Sequence, residues 1–304
     1  MSQASAAVPV VSVLTTAFNR ANHVGAAIES VLASSFANLE LIVVDDASAD
    51  DTFDIARFHA AADDRVRVFK NDRNLGDYVN RNRAAALARG RYLKYLDSDD
   101  HLYPYALEYL VALMDAHPSA GYALSQKELL DRPHPLVLSP RAAYLINFFH
   151  ANLFGRAPNS AFIRTEAFRQ VGGFSGKRHV GDHELWLTLS RHYPLLTTPP
   201  ALAWDRTHAG QEKSLNREMK QAMHLAIQRD ALAHPDCPLT PEERRMALEN
   251  VLHAYGIRVL KTAFRHGDLH SALTLQSHLQ LPWHVLLKAP FRAPHRPPIP
   301  QSLV

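Results

Sequence analysis

Over its first 125 residues the chain alternates short, β-branched apolar runs with segments whose apolar residues recur at helical spacing. No other feature restricts the fold as much. Strands joined by helical crossovers pair in parallel and need helices over both faces of their sheet. VPVVSVLTT (8–16) is the first run, and Asn22 then stands as a cap for a helix bearing Val24, Ile28, Val31 and Leu32. LELIVVDD (39–46) reads as a second strand, after which Asp50 and Asp51 open a helix with Phe53, Ile55 and Phe58. RVRVF (65–69) is a third, followed by a loop with Asn74 and Gly76 and a helix through Ala84, Leu87 and Ala88 that Gly90 ends. RYLKYL (91–96) is the fourth, and Pro104 takes a first-turn position before Leu107, Leu110, Val111 and Met114.

Sheets of this kind bind ligands beyond the carboxyl ends of their strands. Two acidic groups fall at such ends, Asp45-Asp46 and the trio Asp97, Asp99 and Asp100. Like charge at the end of a core strand is costly unless something positive joins it. A hard divalent cation, Mg²⁺ or Mn²⁺, takes oxygen ligands and keeps positions open for phosphates. In D-x-D, two carboxylates spaced two apart point to the same side of an extended segment. The plainer alternative is a solvated turn in which Asp99 or Asp100 caps the helix that begins near Pro104.

Beyond residue 125 the pattern is mixed. Pro133, Pro135 and Pro140 punctuate a loop, and a helix rich in Tyr, Phe and Leu follows over 141–154. NSAFIR (159–164) reads as a strand, then come a short helix and GGF (172–174), a helix over roughly 182–192, and PALAWDR (200–206) as a last strand. From about 212 the chain is helical. Thr240-Pro241-Glu242-Glu243 is a helix start with cap, N1 proline and first-turn acids, and Gly267-Asp268 pairs a C-cap glycine with the next N-cap. The tail PFRAPHRPPIPQSLV (290–304) is Pro-rich, with extended or disordered chain expected. There is no convincing repeat.

Composition excludes some classes. At 47% hydrophobic and 21% charged, the 304 residues suit an ordinary globular protein with a real core. A net charge of +3 is too diffuse to argue for nucleic acid. The single Cys237 excludes an intrachain disulfide and suits a reducing compartment, and no HExxH or CxxC spacing organises the 18 histidines. The start MSQASAAVPVV has no basic n-region and no long h-region, and no window nears the roughly 20 apolar residues needed to span a bilayer. The expectation is a cytoplasmic protein, with peripheral membrane contact open.

Several motifs then occur in one order: VSVLTTAFNR, LELIVVDDASADDT, N-x-G at 74–76 with Arg81-Asn82, GRYLKYLDSDD, NSAFIR with VGGF, GDHELWLTL and WDRTHAGQEKS. In this the sequence resembles the family 2 inverting glycosyltransferases, which have the GT-A fold, from about residue 8 to 215. The resemblance implies a GT-A domain over 1–214, with a nucleotide-binding half at 8–125 and an acceptor half at 126–214. It leaves a helical region at 215–289 and the tail at 290–304 unexplained. It implies transfer of a sugar from a nucleotide-sugar donor, commonly a UDP-sugar, to a hydroxyl of a glycan or lipid-linked acceptor, with Mn²⁺ or Mg²⁺ as cofactor.

Carried over by position, Thr15 (or Thr16) and Phe18 would line the nucleotide pocket and Asp46 would bond the base. Arg81 would steer or neutralise the nucleotide, while Asn74 and Asn82 serve the loop and helix. Asp97 and Asp99 would form the D-x-D pair, Asp99 on the metal and Asp97 nearer the sugar. Asp182 would be the general base. His208 would reach the metal or diphosphate, and Arg206 would pair with phosphate oxygens. Each has a plainer alternative: Asp46 and Asp182 as helix or turn caps, His208 as a structural histidine, Trp186 as core rather than a sugar platform. One departure stands out, for Gly181 occupies the place of the usual Glu before Asp182. That departure keeps open a non-catalytic nucleotide- or glycan-binding module. A sugar-phosphate nucleotidylyltransferase is disfavoured, since TTAFNRANH after the first strand is no Gly-rich basic loop. Arg244, Arg245, Arg258, Lys261 and Arg265 on the late helices suit an anionic lipid surface, or those helices pack on the catalytic domain or a second copy.

Overall fold

The computed structural model describes residues 8–127, 132–200, 202–207, 217–265 and 267–300. The first four strands, β1 (Val11–Ala17), β2 (Leu39–Asp45), β3 (Val66–Lys70) and β4 (Tyr92–Tyr95), are all parallel. Their crossovers carry α1 (Val24–Leu32), α2 (Thr52–Ala62) and α3 (Asp77–Leu87). Beyond β4 a two-residue strand, β5 (His101–Leu102), precedes α4 (Ala106–Ala116). The second half contributes β6 (Tyr122–Ser125), β7 (Val137–Leu138), α5 (Pro140–Leu145) with a π-helical turn to His150, β8 (Ala161–Arg164), α6 (Thr165–Gln170), α7 (Gly181–His192), β9 (Leu195–Thr198) and β10 (Ala203–Trp204). Among the described residues the main sheet has eight strands in the order β3-β2-β1-β4-β8-β6-β9-β7. It is parallel from β3 to β4 and turns antiparallel at β8. The expected mostly parallel sheet flanked by helices is therefore present.

Several local expectations need correction. Asn22 does not cap α1, which begins at Val24 with no side-chain cap. Helix α3 stops at Leu87, and Gly90 is no helix terminator: a Cβ there would lie 2.5 Å from the Ser12 backbone nitrogen, so glycine permits close approach to β1. Helix α4 starts at Ala106 after Tyr105, so neither Asp99 nor Asp100 caps it. The helix expected over 141–154 covers only 140–150. The run 200–206 yields two strand residues, paired with β5 outside the main sheet.

Two buried clusters, one on each face, hold the sheet. One packs α1, α2 and α4 through residues such as Val24, Ile28, Ala56, Leu107 and Leu110. The other joins α3, α5 and α7 to four further helices, α8 (Arg217–Ala233), α9 (Pro241–Arg265), α10 (Leu269–Leu279) and α11 (Trp283–Lys288), through Leu225, Leu232, Val251, Tyr255, Leu275 and Leu286. The C-terminal helices thus extend the core of the sheet domain. Helix α9 opens as its sequence suggests: the Glu243 carboxylate accepts from the Thr240 N–H and Thr240 Oγ1 accepts from the Glu243 N–H. Arg141 on α5 pairs with the same Glu243 at 2.6 Å. Over 292–300 the tail has no helix or strand and runs along the domain. His295 N–H donates to Asn250 Oδ1, Pro297 O accepts from His150, and Ile299 packs on the core. No helix among the described residues is long and apolar enough to cross a membrane.

Candidate active site

The parallel strands β1, β2 and β4 end at one rim, where a cavity of about 1040 Å³ opens. Thr16, Phe18, Asp46, Arg81, Asp97, Asp99 and Asp182 all line it. Parallel register brings the ends of β1, β2 and β4 to this edge, and helices α3 and α7 add Arg81 and Asp182, so residues up to 166 positions apart meet there.

Two expected residues are not among those lining it. Thr15 is buried in β1 and has an unpartnered hydroxyl, while its neighbour Thr16 faces the cavity. Successive strand residues point to opposite faces, so one step of register separates the two. Arg206 supports the rim from behind. Its backbone N–H donates to Asp100, and its guanidinium donates to Asp99 O at 3.0 Å and contacts His101 Nε2 at 2.9 Å. His208, with Lys213 and Ser214, lies outside the described residues.

The acidic rim is met by cations of the protein itself. Arg81, buried on α3, donates to Asp77 at 2.7 Å and to Asp97 at 2.6 Å. Burial opposes its charge, but Asp97 and Asp77 outweigh that and raise its pKa. Arg20, which the motif reading passed over, places Nε 3.4 Å from Asp99. Lys94 sits buried in β4 beneath the rim and donates to the Asn159 carbonyl. Burial lowers its pKa to about 8, against the pull of Asp205, Asp97 and Asp100. Asp100 is pushed up to about 6 by burial, and it accepts from Arg206 N–H and Asn159 Nδ2. These contacts give Asp100 a structural place: it fixes the 99–101 turn and the segment around Asp205.

Asp46 holds the opposite wall. Its Oδ1 accepts from Asn71 and the Leu75 N–H, and its Oδ2 from the Gly76 N–H at 3.0 Å. One oxygen is thus doubly engaged while the other has a single donor, which leaves room for one further N–H. Asn82 is structural, exchanging hydrogen bonds with the Phe174 backbone. Trp186 is fully buried, its indole N–H on the Arg156 carbonyl, and is core rather than a sugar platform.

Asp182 stands in the first turn of α7, and its Oδ1 accepts from the His183 N–H at 2.7 Å. Burial raises its pKa, against the bonds from His183 and the Tyr78 hydroxyl. The same Tyr78 accounts for Gly181. A Cβ at 181 would lie 2.8 Å from the Tyr78 ring, which is stacked on Phe174 with centroids 4.9 Å apart. The glycine makes space for the aromatic residue that bonds the neighbouring carboxylate. Asp182 also lines a second, adjoining cavity of about 520 Å³, bounded by the 147–157 segment, α7, α8 and α9.

A hard divalent cation fits the donor chemistry of the rim. Asp97 meets Arg81 through Oδ1 and Asp99 meets Arg20 through Oδ2, and both side chains line the same cavity. Among the described residues no three His, Cys, Asp or Glu side chains converge on a common metal position. The protein would supply two oxygen ligands, with phosphates and water completing the shell, as Mg²⁺ and Mn²⁺ accept.

Comparison with known proteins agrees with this architecture. The family model "Glycosyl transferase family 2" matches residues 12–172, just over half of the chain. A putative teichuronic acid biosynthesis glycosyltransferase of Bacillus subtilis is 36% identical over 124 residues, covering 40% of this chain and 49% of that protein. Chondroitin synthase of Escherichia coli is 41% identical over 236 residues, covering 74% of this chain and 33% of that protein. The chain therefore spans half or less of the length of these relatives. Residues 1–349 of S. aureus TarS, solved in complex with UDP-GlcNAc, superpose with a TM-score of 0.65 at 16% identity, over 92% of this chain and 87% of that one. A GT-A-type sheet, a strand-end acidic rim and a family match across both make the conclusion plain: this chain belongs to glycosyl transferase family 2.

Proposed function

We propose that the chain moves a sugar from a nucleotide diphosphate donor, a UDP-sugar, to a hydroxyl of a glycan or lipid-linked acceptor, inverting the anomeric centre. The observation that carries this reading is the position of Asp182, a half-buried carboxylate shared by two adjoining cavities. The larger cavity suits the donor. Asp46 offers an acceptor for the imide N–H of a base, and Phe18, half-exposed at the end of β1, offers a face for it to pack on. The solved complex of the TarS fragment with UDP-GlcNAc supports a uridine donor.

Charge argues for a metal at this site. Asp46, Asp77, Asp97, Asp99, Asp100, Asp182 and Asp205 line the donor cavity against Arg20, Arg81, Arg178 and Lys220. A diphosphate entering such an excess of carboxylates needs further positive charge. Mg²⁺ or Mn²⁺ held by Asp97 and Asp99 would supply it and offset the charge of the departing diphosphate. The residues of the chain do the rest. Asp182 removes the proton of the acceptor hydroxyl as its oxygen bonds the anomeric carbon, while the bond from that carbon to the diphosphate oxygen breaks. The sugar passes through an oxocarbenium-like state. Arg81, fixed by Asp77 and Asp97, orients Asp97 beside the sugar, and the Tyr78 hydroxyl orients Asp182.

Asp182→Asn tests the assignment. Transfer, followed by UDP release, should fall about 10²–10⁴-fold, as loss of a general base does, with UDP binding by calorimetry retained. Normal turnover by Asp182→Asn would remove Asp182 as the base. A non-catalytic binding module would behave differently from both: the wild-type chain would bind UDP-sugar yet neither transfer nor hydrolyse it.

A further inference from the structure

The second cavity differs from the first in the sign of its walls. Arg156, Lys220 and Arg258 line it, and Asp182 at its mouth is the one carboxylate among its lining residues. Among the described residues none of these three cations pairs with a carboxylate. Arg156 donates to the Gln126 amide oxygen at 3.0 Å, and Arg258 contacts Gln221 at 3.4 Å and lies over the Tyr255 ring. Elsewhere the protein matches such side chains with acids: Arg67 with Glu40, Arg81 with Asp77 and Asp97, Arg141 with Glu243, Arg292 with Glu249. Arg156 and Arg258 thus meet neutral partners and Lys220 acts on Asp182 at the mouth, which leaves the cavity with a net positive charge.

Two histidines complete the wall between α7 and α8. His183 and His224 meet through their Nδ1 atoms at 3.0 Å, and burial lowers their pKa values to about 3 and about 4, so both are neutral near pH 7. One ring donates and the other accepts. The Nε2 of His183 is buried and has no hydrogen-bond partner. The cavity volume of about 520 Å³ lies in the range of small-ligand sites. It opens to the donor cavity past Asp182, His179 and Lys220, which line both.

From this we infer that the second cavity is the acceptor site and that its acceptor carries an anionic group, a carboxylate or a phosphate, beside the sugar whose hydroxyl reacts. The inference rests on the glycosyl-transfer reading above and adds the acceptor's chemical class. Opposed charge gives the acceptor its direction. The acid-lined donor cavity repels the anion, and Arg156, Lys220 and Arg258 hold it in the second cavity. The neutral hydroxyl is left at Asp182. Helices beyond the family match therefore set acceptor choice.

Calorimetry on the full chain without donor tests this, using three matched tetrasaccharides that end in glucuronate, in glucose and in glucose 6-phosphate. The expected result is binding of a charged probe at least about tenfold tighter than the neutral one, the scale of a hydrogen bond to a charged group. Preference for the uronate or for the phosphate then identifies which anion is used. The double variant Lys220→Gln/Arg258→Gln should lose about tenfold for the charged probe and bind the neutral probe as before. Equal affinity for charged and neutral probes, no binding of either charged probe, or equal loss for all three in the variant would overturn the inference. The wild-type comparison decides even if the variant does not fold. UDP titrated with Mn²⁺ into the same protein separates the two readings. If UDP binds without charge discrimination among the probes, the acceptor class alone falls; if UDP does not bind, glycosyl transfer falls with it.

Discussion

The proposed base, Asp182, shows how position sets the strength of a carboxyl group. Burial lifts its carboxyl pKa above the ordinary range near about 3.9. A base must be ionised, so activity is lost as pH falls through the raised value. The acid limb of a kcat/KM profile should accordingly fall above the usual carboxylate range; a limb at or below about 4 would contradict this. Beside it, Gly181→Ala forces a methyl against Tyr78. It should cost about 1–3 kcal/mol, as overpacking does, read as a lower thermal midpoint. An unchanged midpoint would mean the ring yields freely. From the residues alone Gly181 is only a departure from a pattern, because its cause sits in another element. Asp46, Arg81, Asp97, Asp99 and Asp182 were legible as strand-end or helix-start residues and do share one cavity. Of Thr15 and Thr16, both offered by the motif, Thr16 lines the cavity; one step along a strand inverts the face, and β-branched neighbours do not betray which. Arg206 followed a motif whose backbone geometry only the fold supplies. Arg20 had a signal, a cationic residue two positions after the strand-end aromatic Phe18.

At the level of elements, Glu40 illustrates a buried carboxylate with purely structural work. It lies on β2 and accepts from Ser12 Oγ, Arg67, Arg89 Nε and the Arg89 N–H, joining β1, β2, β3 and the end of α3. Burial opposes its ionisation, yet these bonds outweigh burial and lower its pKa. Glu40→Ala leaves the Ser12 hydroxyl and the Arg89 N–H without their acceptor and should cost about 1–3 kcal/mol in urea unfolding, with activity per folded molecule kept. Since the folded pKa is depressed, this stabilisation is full above the unfolded carboxylate value and fades as pH falls through the folded one. An unaltered midpoint for Glu40→Ala would show the network to be idle. The crossover strands were readable because long apolar runs sit between helical stripes. Strands β6 and β9 were not, since four-residue apolar runs beside prolines and glycines carry no period.

Across the whole molecule, two helical layers and an acid-lined rim divide the labour. The C-terminal helices share the core of α5 and α7, and in doing so wall the cation-lined cavity that opens onto the acid-lined one. Sequence periodicity found those helices; their attachment to the sheet domain depends on long-range packing that no local pattern encodes. The central claim is that Asp97 and Asp99 recruit a divalent cation on which nucleotide diphosphate binding depends. Calorimetry of UDP with the wild-type chain and with Asp99→Asn, in Mn²⁺ and in EDTA, measures it directly. The account expects UDP to bind the wild type at least about tenfold tighter with Mn²⁺, a gain that disappears in Asp99→Asn. Equal UDP affinity in Mn²⁺ and EDTA would contradict it.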